Sequence, residues 1–130
     1  MPEELLEGQA GIEQAWFFHY MMKQESAFTA RDRRVYAAAY SSRVAIRAST
    51  GWYQAFGQDI LDESTYAKLS MPVRGVGGPG YARLKATLEV KAGNANTYRI
   101  ETSGHFIAEE APAELLKLLD DFLRPESSGD

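Results

Sequence analysis

Apolar residues in the first half of the chain recur at spacings of three and four: Leu5, Leu6, Ile12, Trp16, Phe17 and Tyr20. That is the period of one helix face, so helices are expected across residues 1–66, with breaks near Gly8 and Gly11. A clear start signal follows at Thr29. A threonine oxygen can accept from the first free amides of a helix, and Ala30-Arg31-Asp32 then leads into an apolar stripe at Val35, Tyr36, Ala39 and Tyr40. A third helix is expected from about Val44 to Phe56. Its alanines and aromatics (Ala45, Ala48, Trp52, Tyr53 and Phe56) suit helix-on-helix packing.

After Ser70 the pattern changes. Met71-Pro72-Val73-Arg74-Gly75-Val76 is a short apolar run stopped by Gly77-Gly78-Pro79-Gly80, which reads as a buried strand ending in a loop. Tyr81 to Leu88 reads as a helix, Thr97 to Glu101 as a second strand, Ser103-Gly104-His105 as a loop, and Ala113 to Leu123 as an amphipathic helix. The expected fold class is therefore α/β: a helical segment over 1–66, a β-α-β-α segment over 67–124, and a frayed polar tail over 125–130. Strands joined through such a helix should be parallel, with a right-handed crossover. Two parallel strands alone leave open edges and an uncovered face. Either the helical half covers the sheet, or the strands pair with another polypeptide.

Composition narrows the function classes. Eighteen acids and 14 bases are mixed along the sequence, giving a net charge of -4, so there is no basic footprint for nucleic acid. Without any cysteine, disulfides, thiolate metal sites and a thiol nucleophile are excluded. Met1-Pro2-Glu3-Glu4 is acidic where a secretory leader is basic, and no apolar run approaches about 18 residues. A cytoplasmic protein without membrane attachment, cofactor or metal is expected.

Candidate chemistry gathers at Ser103 to Pro112. A histidine in a loop between a strand and a helix is held by rigid elements while its ring points into the cleft that tops the sheet, as a general base requires. A loop histidine satisfied by local backbone is the plainer alternative. Gly75 to Gly80 formally fits Gly-x-Gly-x-x-Gly, but Pro79 removes an amide, and the rest of the chain is too short for a dinucleotide-binding domain.

The run Gly104-His105-Phe106-Ile107-Ala108-Glu109-Glu110-Ala111-Pro112, continuing to Asp121-Phe122-Leu123, resembles the C-terminal end of epoxide hydrolases, haloacetate dehalogenases and related α/β-hydrolases. Pro72 to Gly78 looks like that family's penultimate strand. Residues 2–56 are similar to its helical cap, through Trp16-Phe17-Phe18, Ala27-Phe28-Thr29, Tyr36 to Tyr40, and Arg47 through Trp52-Tyr53-Gln54-Ala55-Phe56. The resemblance implies that His105 is the base activating water against a covalent alkyl-enzyme ester. It implies also that Tyr53 stands where cap tyrosines polarise the leaving oxygen, a role a phenol can perform by donating to a developing alkoxide. Helix packing is the alternative role for Tyr53.

The departures from the family are specific. Neither Gly-x-Ser-x-Gly nor Gly-x-Asp-x-Gly occurs, so the nucleophile elbow is not found, and Gly77 to Tyr81 offers no triad carboxylate. Asp59 and Asp62 precede the strand and are given no role. Glu109 and Glu110 are candidates to orient His105, although an exposed place at a helix N-terminus, favoured by the helix dipole, is the simpler expectation. The sequence therefore reads as an incomplete α/β-hydrolase, inactive alone, whose partner is an N-terminal hydrolase half or a second copy, and which takes a small-molecule substrate only when completed. The alternative is a non-catalytic helical binding or oligomerisation module of hydrolase ancestry.

Overall fold

A computed structural model describes residues 3–124. The tail expected over 125–130 lies outside the described residues. The chain divides into two compact units, one of Met1–Met21 with Glu25–Ala67 and one of Met22–Gln24 with Lys68–Asp130.

The first unit is helical: α1 (Glu3–Leu6), α2 (Ala10–Met21), a 3-10 turn (Glu25–Ala27), α3 (Ala30–Ala39) and α4 (Arg43–Glu63). Gly8 makes the expected break with φ 75°, but Gly11 lies inside α2. Thr29 caps α3 as expected. Its Oγ accepts from the Asp32 amide at 3.3 Å, and Asp32 accepts the Thr29 amide in return at 2.9 Å, so two otherwise free donors are satisfied together. The centre of this unit is aromatic. Phe18 and Phe28 are buried and stacked with centroids 4.5 Å apart, and Tyr36 meets both rings edge-on. Such pairs add about 0.5–1.5 kcal/mol each beyond area burial. Helix α4 runs on past Phe56 to Glu63, through Gly57; a lone glycine weakens a helix by only about 1 kcal/mol and need not end it.

The second unit holds β1 (Leu69–Gly77), α5 (Tyr81–Lys91), β2 (Ala92–Arg99), a short α6 (Ile107–Glu110) and α7 (Pro112–Leu123). The strands pair in parallel with Val73 opposite Ala95 and Gly77 opposite Arg99, as the β-α-β order demands. The register shifts between Leu69 and Pro72, where a proline cannot donate to the ladder. Both strands start earlier than the sequence pattern indicates, β2 by the whole Ala92 to Asn96 stretch.

Glycine allows α5 to pack closely. A Cβ on Gly75 would stand 2.5 Å from Leu88 Cδ1, and one on Gly77 would stand 2.9 Å from the Tyr81 Cα. These glycines of the Gly-x-Gly-x-x-Gly pattern thus have a packing role against α5. The neighbouring Arg74 faces the other way, since successive strand residues alternate. Its guanidinium lies 4.8 Å from the Tyr98 ring centroid and 4.9 Å from that of Phe122, and Nη1 donates to the Leu118 carbonyl at 2.6 Å. Helices α5 and α7 therefore cover opposite faces of the two strands. Ile100, which leaves β2, is fully buried, and its amide donates to the Gly77 carbonyl at 2.9 Å. Cover is incomplete: Met71 on β1 remains 56% exposed. Among the described residues, no helix is long and apolar enough to cross a membrane.

Candidate active site

His105 sits in the loop between β2 and α6, beyond Ile100, and its side chain is exposed. The ring meets Phe106 edge-on with centroids 5.2 Å apart. Two features hold this loop. The first is close backbone contact with the loop after β1. Gly78 approaches so nearly that a Cβ there would be 2.4 Å from the Gly104 carbonyl oxygen, and the buried Ser103 donates through Oγ to that same oxygen at 3.2 Å.

The second is Glu110. It ends α6 and is only 7% exposed, which departs from the expected exposed position at a helix start. Its Oε2 accepts the backbone amides of Lys23 at 2.7 Å, Gln24 at 2.9 Å and Gly104 at 3.0 Å, while Oε1 accepts the Phe106 amide at 3.1 Å. Burial pushes this carboxyl up, but the four amide donations outweigh it, and the net shift is downward from 4.5. The group is held as a carboxylate. The same Met22–Gln24 segment is tied along the loop by two further bonds: Lys23 Nζ donates to the Glu101 carbonyl, and Gln24 Nε2 to the Thr102 carbonyl at 2.8 Å.

The other sequence-selected residues fall elsewhere. Tyr53 is on α4 in the first unit, 68% exposed, with its ring edge-on to Phe56 at 5.4 Å, while His105 belongs to the second unit. Asp59 and Asp62 are also on α4, where Asp62 accepts from Gln58 Nε2 at 2.7 Å. Among the described residues, no cluster of three or more histidine, cysteine or acidic side chains could hold a metal ion. Sequence reasoning placed Glu110 beside His105 but missed its main-chain partners. The donors at Lys23 and Gln24 are far away in sequence, and no local pattern announces them.

No protein-family model matches the chain, and no curated protein matches it at a significant level. Solved structures do. Cfl2 from Burkholderia cenocepacia superposes with a TM-score of 0.86 at 28% identity, over 95% of this chain and 44% of Cfl2. ALR0039 from Nostoc sp. PCC 7120, classed as an α/β hydrolase, gives a TM-score of 0.81 at 26% identity, over 95% of this chain and 45% of ALR0039. The epoxide hydrolase CorEH matches at a TM-score of 0.74 and 22% identity, a likeness of fold alone. The chain spans less than half the length of each of these proteins. What it carries is thus a partial α/β-hydrolase fold, helices first and a two-stranded parallel α/β segment after them.

Proposed function

We propose that this chain is the base-bearing portion of a hydrolase of the epoxide hydrolase or haloacetate dehalogenase kind, with His105 as the base. The observation that carries the reading is the exposed His105 side chain on a loop fixed by buried contacts on both sides of it, within a partial hydrolase fold. An imidazole so held can take a proton from water while the water oxygen attacks the carbonyl carbon of a covalent ester. Tyr53 is the proposed donor to the oxygen that leaves carbon when such an ester forms from an epoxide. The nucleophile must come from outside these 130 residues, because no Gly-x-Asp-x-Gly or Gly-x-Ser-x-Gly elbow occurs among them. The open edges of the two-stranded sheet favour its extension by the polypeptide that supplies the nucleophile, and exposed apolar side chains on β1, such as Met71, favour cover of its face.

The test is turnover of epoxides and haloacetates by the 130-residue chain alone and after addition of the polypeptide encoded immediately upstream. Hydrolysis only in the mixture, lost with His105→Ala, is the expected result. Turnover by the chain alone, abolished by His105→Ala, would overturn the missing nucleophile, and turnover that survives His105→Ala would overturn the assignment of the base. The exposed aromatics of α4, Trp52 foremost, favour a second reading in which two copies cover each other's apolar faces. Light scattering addresses it directly: a strictly monomeric, cooperatively folding chain removes it.

A further inference from the structure

We infer that Glu110 is the positioning residue of His105, acting through the main chain on both sides of the histidine. The inference rests on His105 being the base. In a base, an imidazole needs a third group to hold it, and a carboxylate bonded to a ring nitrogen is the usual solution. Glu110 is differently engaged. Both of its oxygens are occupied by backbone amides, and the two that matter belong to Gly104 and Phe106, the immediate neighbours of His105 in the chain. One buried carboxylate therefore spans the histidine, holding the 103–104 peptide on one side and the 105–106 peptide on the other.

The brace is anchored at its other end. The amides of Lys23 and Gln24 bond to the same Oε2 that takes the Gly104 amide, and the side chains of both residues bond to carbonyls at 101 and 102. The loop is thereby fastened to a second, parallel piece of chain as well as to its own helix. Charge matters because all four partners are donors: the site has room for an acceptor-only group and for nothing that must donate.

That asymmetry makes Glu110→Gln informative. Its amide oxygen can keep the three bonds made by Oε2, but its NH2 then faces the Phe106 amide, donor against donor. The substitution should leave the unit folded and release the loop on the Phe106 side of His105.

The experiment is heteronuclear NMR of the 130-residue chain, which requires no activity. In the wild type the amides of Lys23, Gln24, Gly104 and Phe106 should shift together with one acid midpoint. In Glu110→Gln that common titration should vanish, and order parameters at His105 and Phe106 should fall from about 0.85 toward about 0.6. The exposed Glu89→Gln serves as a control that changes neither. Four amides that titrate independently in the wild type would overturn the inference without any variant. So would a folded Glu110→Gln in which His105 stays as ordered as before. A completed enzyme that is inactive although the wild-type brace is intact would instead remove the hydrolase reading and leave the brace standing.

Discussion

Gly78 and Gly104 face each other so closely that the Cβ of any other residue at position 78 would sit 2.4 Å from the Gly104 carbonyl oxygen. Real side chains essentially never make such a contact, and the opposing atom is backbone, which cannot swing aside as a side-chain tip can. The loop that follows β1 and the loop that carries His105 are thus fitted main chain to main chain. The fit transmits position: moving residue 78 must move the peptide next to His105.

Gly78→Ala should therefore cost about 1–3 kcal/mol, the range for overpacking a filled site, and should shift the amide resonances of residues 103–106. Gly80→Ala, in the same loop, meets nothing within 4 Å and has an ordinary negative φ. It should be neutral within about 0.5 kcal/mol. Urea denaturation of the two variants beside the wild type checks the contrast, and equal losses would contradict it.

Acid should loosen the protein partly through Glu110. Its carboxyl is lowered below 4.5 in the fold, so the unfolded chain binds the proton more readily. The stabilisation is present in full above the unfolded value and is lost as pH falls through the folded one. Asp32, lowered by its bonds with Thr29, contributes with the same sign, so the wild-type curve alone does not isolate Glu110. The difference between wild type and Glu110→Gln does. In urea midpoints measured from pH 7 downward, that difference should be constant at first and shrink below about pH 4.5. A difference independent of pH would show that the carboxylate charge is not what holds the loop.

How far the sequence announced these features depended on how local their causes are. The Thr29 cap is complete within a few residues, and Asp32 supplies its return bond, so it was legible. The parallel pairing followed from chain order alone. The first half of β2 was not legible: Ala92-Gly93-Asn94-Ala95-Asn96 is built from residues poorly represented in strands, and it is extended because β1 lies beside it. Gly11 reads as a break yet sits inside α2, and α4 runs on through Gly57 past the expected end near Phe56, since packing and neighbouring turns outweigh a single glycine. The candidate site divides similarly. The loop placement of His105 could be read from its strand and helix neighbours, whereas the burial of Glu110 depends on amides from residues 23 and 24 that only the fold brings near.

Gly51 offers a stabilising change. It lies within α4 and a Cβ there would meet nothing within 4 Å. Alanine reduces the freedom of the unfolded chain without crowding the folded one. Gly51→Ala should raise stability by about 0.5–1 kcal/mol, read as an increase in the urea midpoint at unchanged slope. A loss of stability would mean that α4 packs against something at that position.

His105→Ala separates a role in chemistry from a role in folding. The side chain is exposed and its ring contact is with the adjacent Phe106, so its removal uncovers no core and leaves no buried donor behind. Stability should change by no more than about 0.5 kcal/mol. If His105 is the base, the same substitution in the completed hydrolase should lower turnover by about 10²–10⁴, the usual contribution of a positioned base. The two measurements read opposite things from one variant. A large loss of stability with activity retained would mark the histidine as a structural residue of the loop, and the general base would then have to be sought outside it.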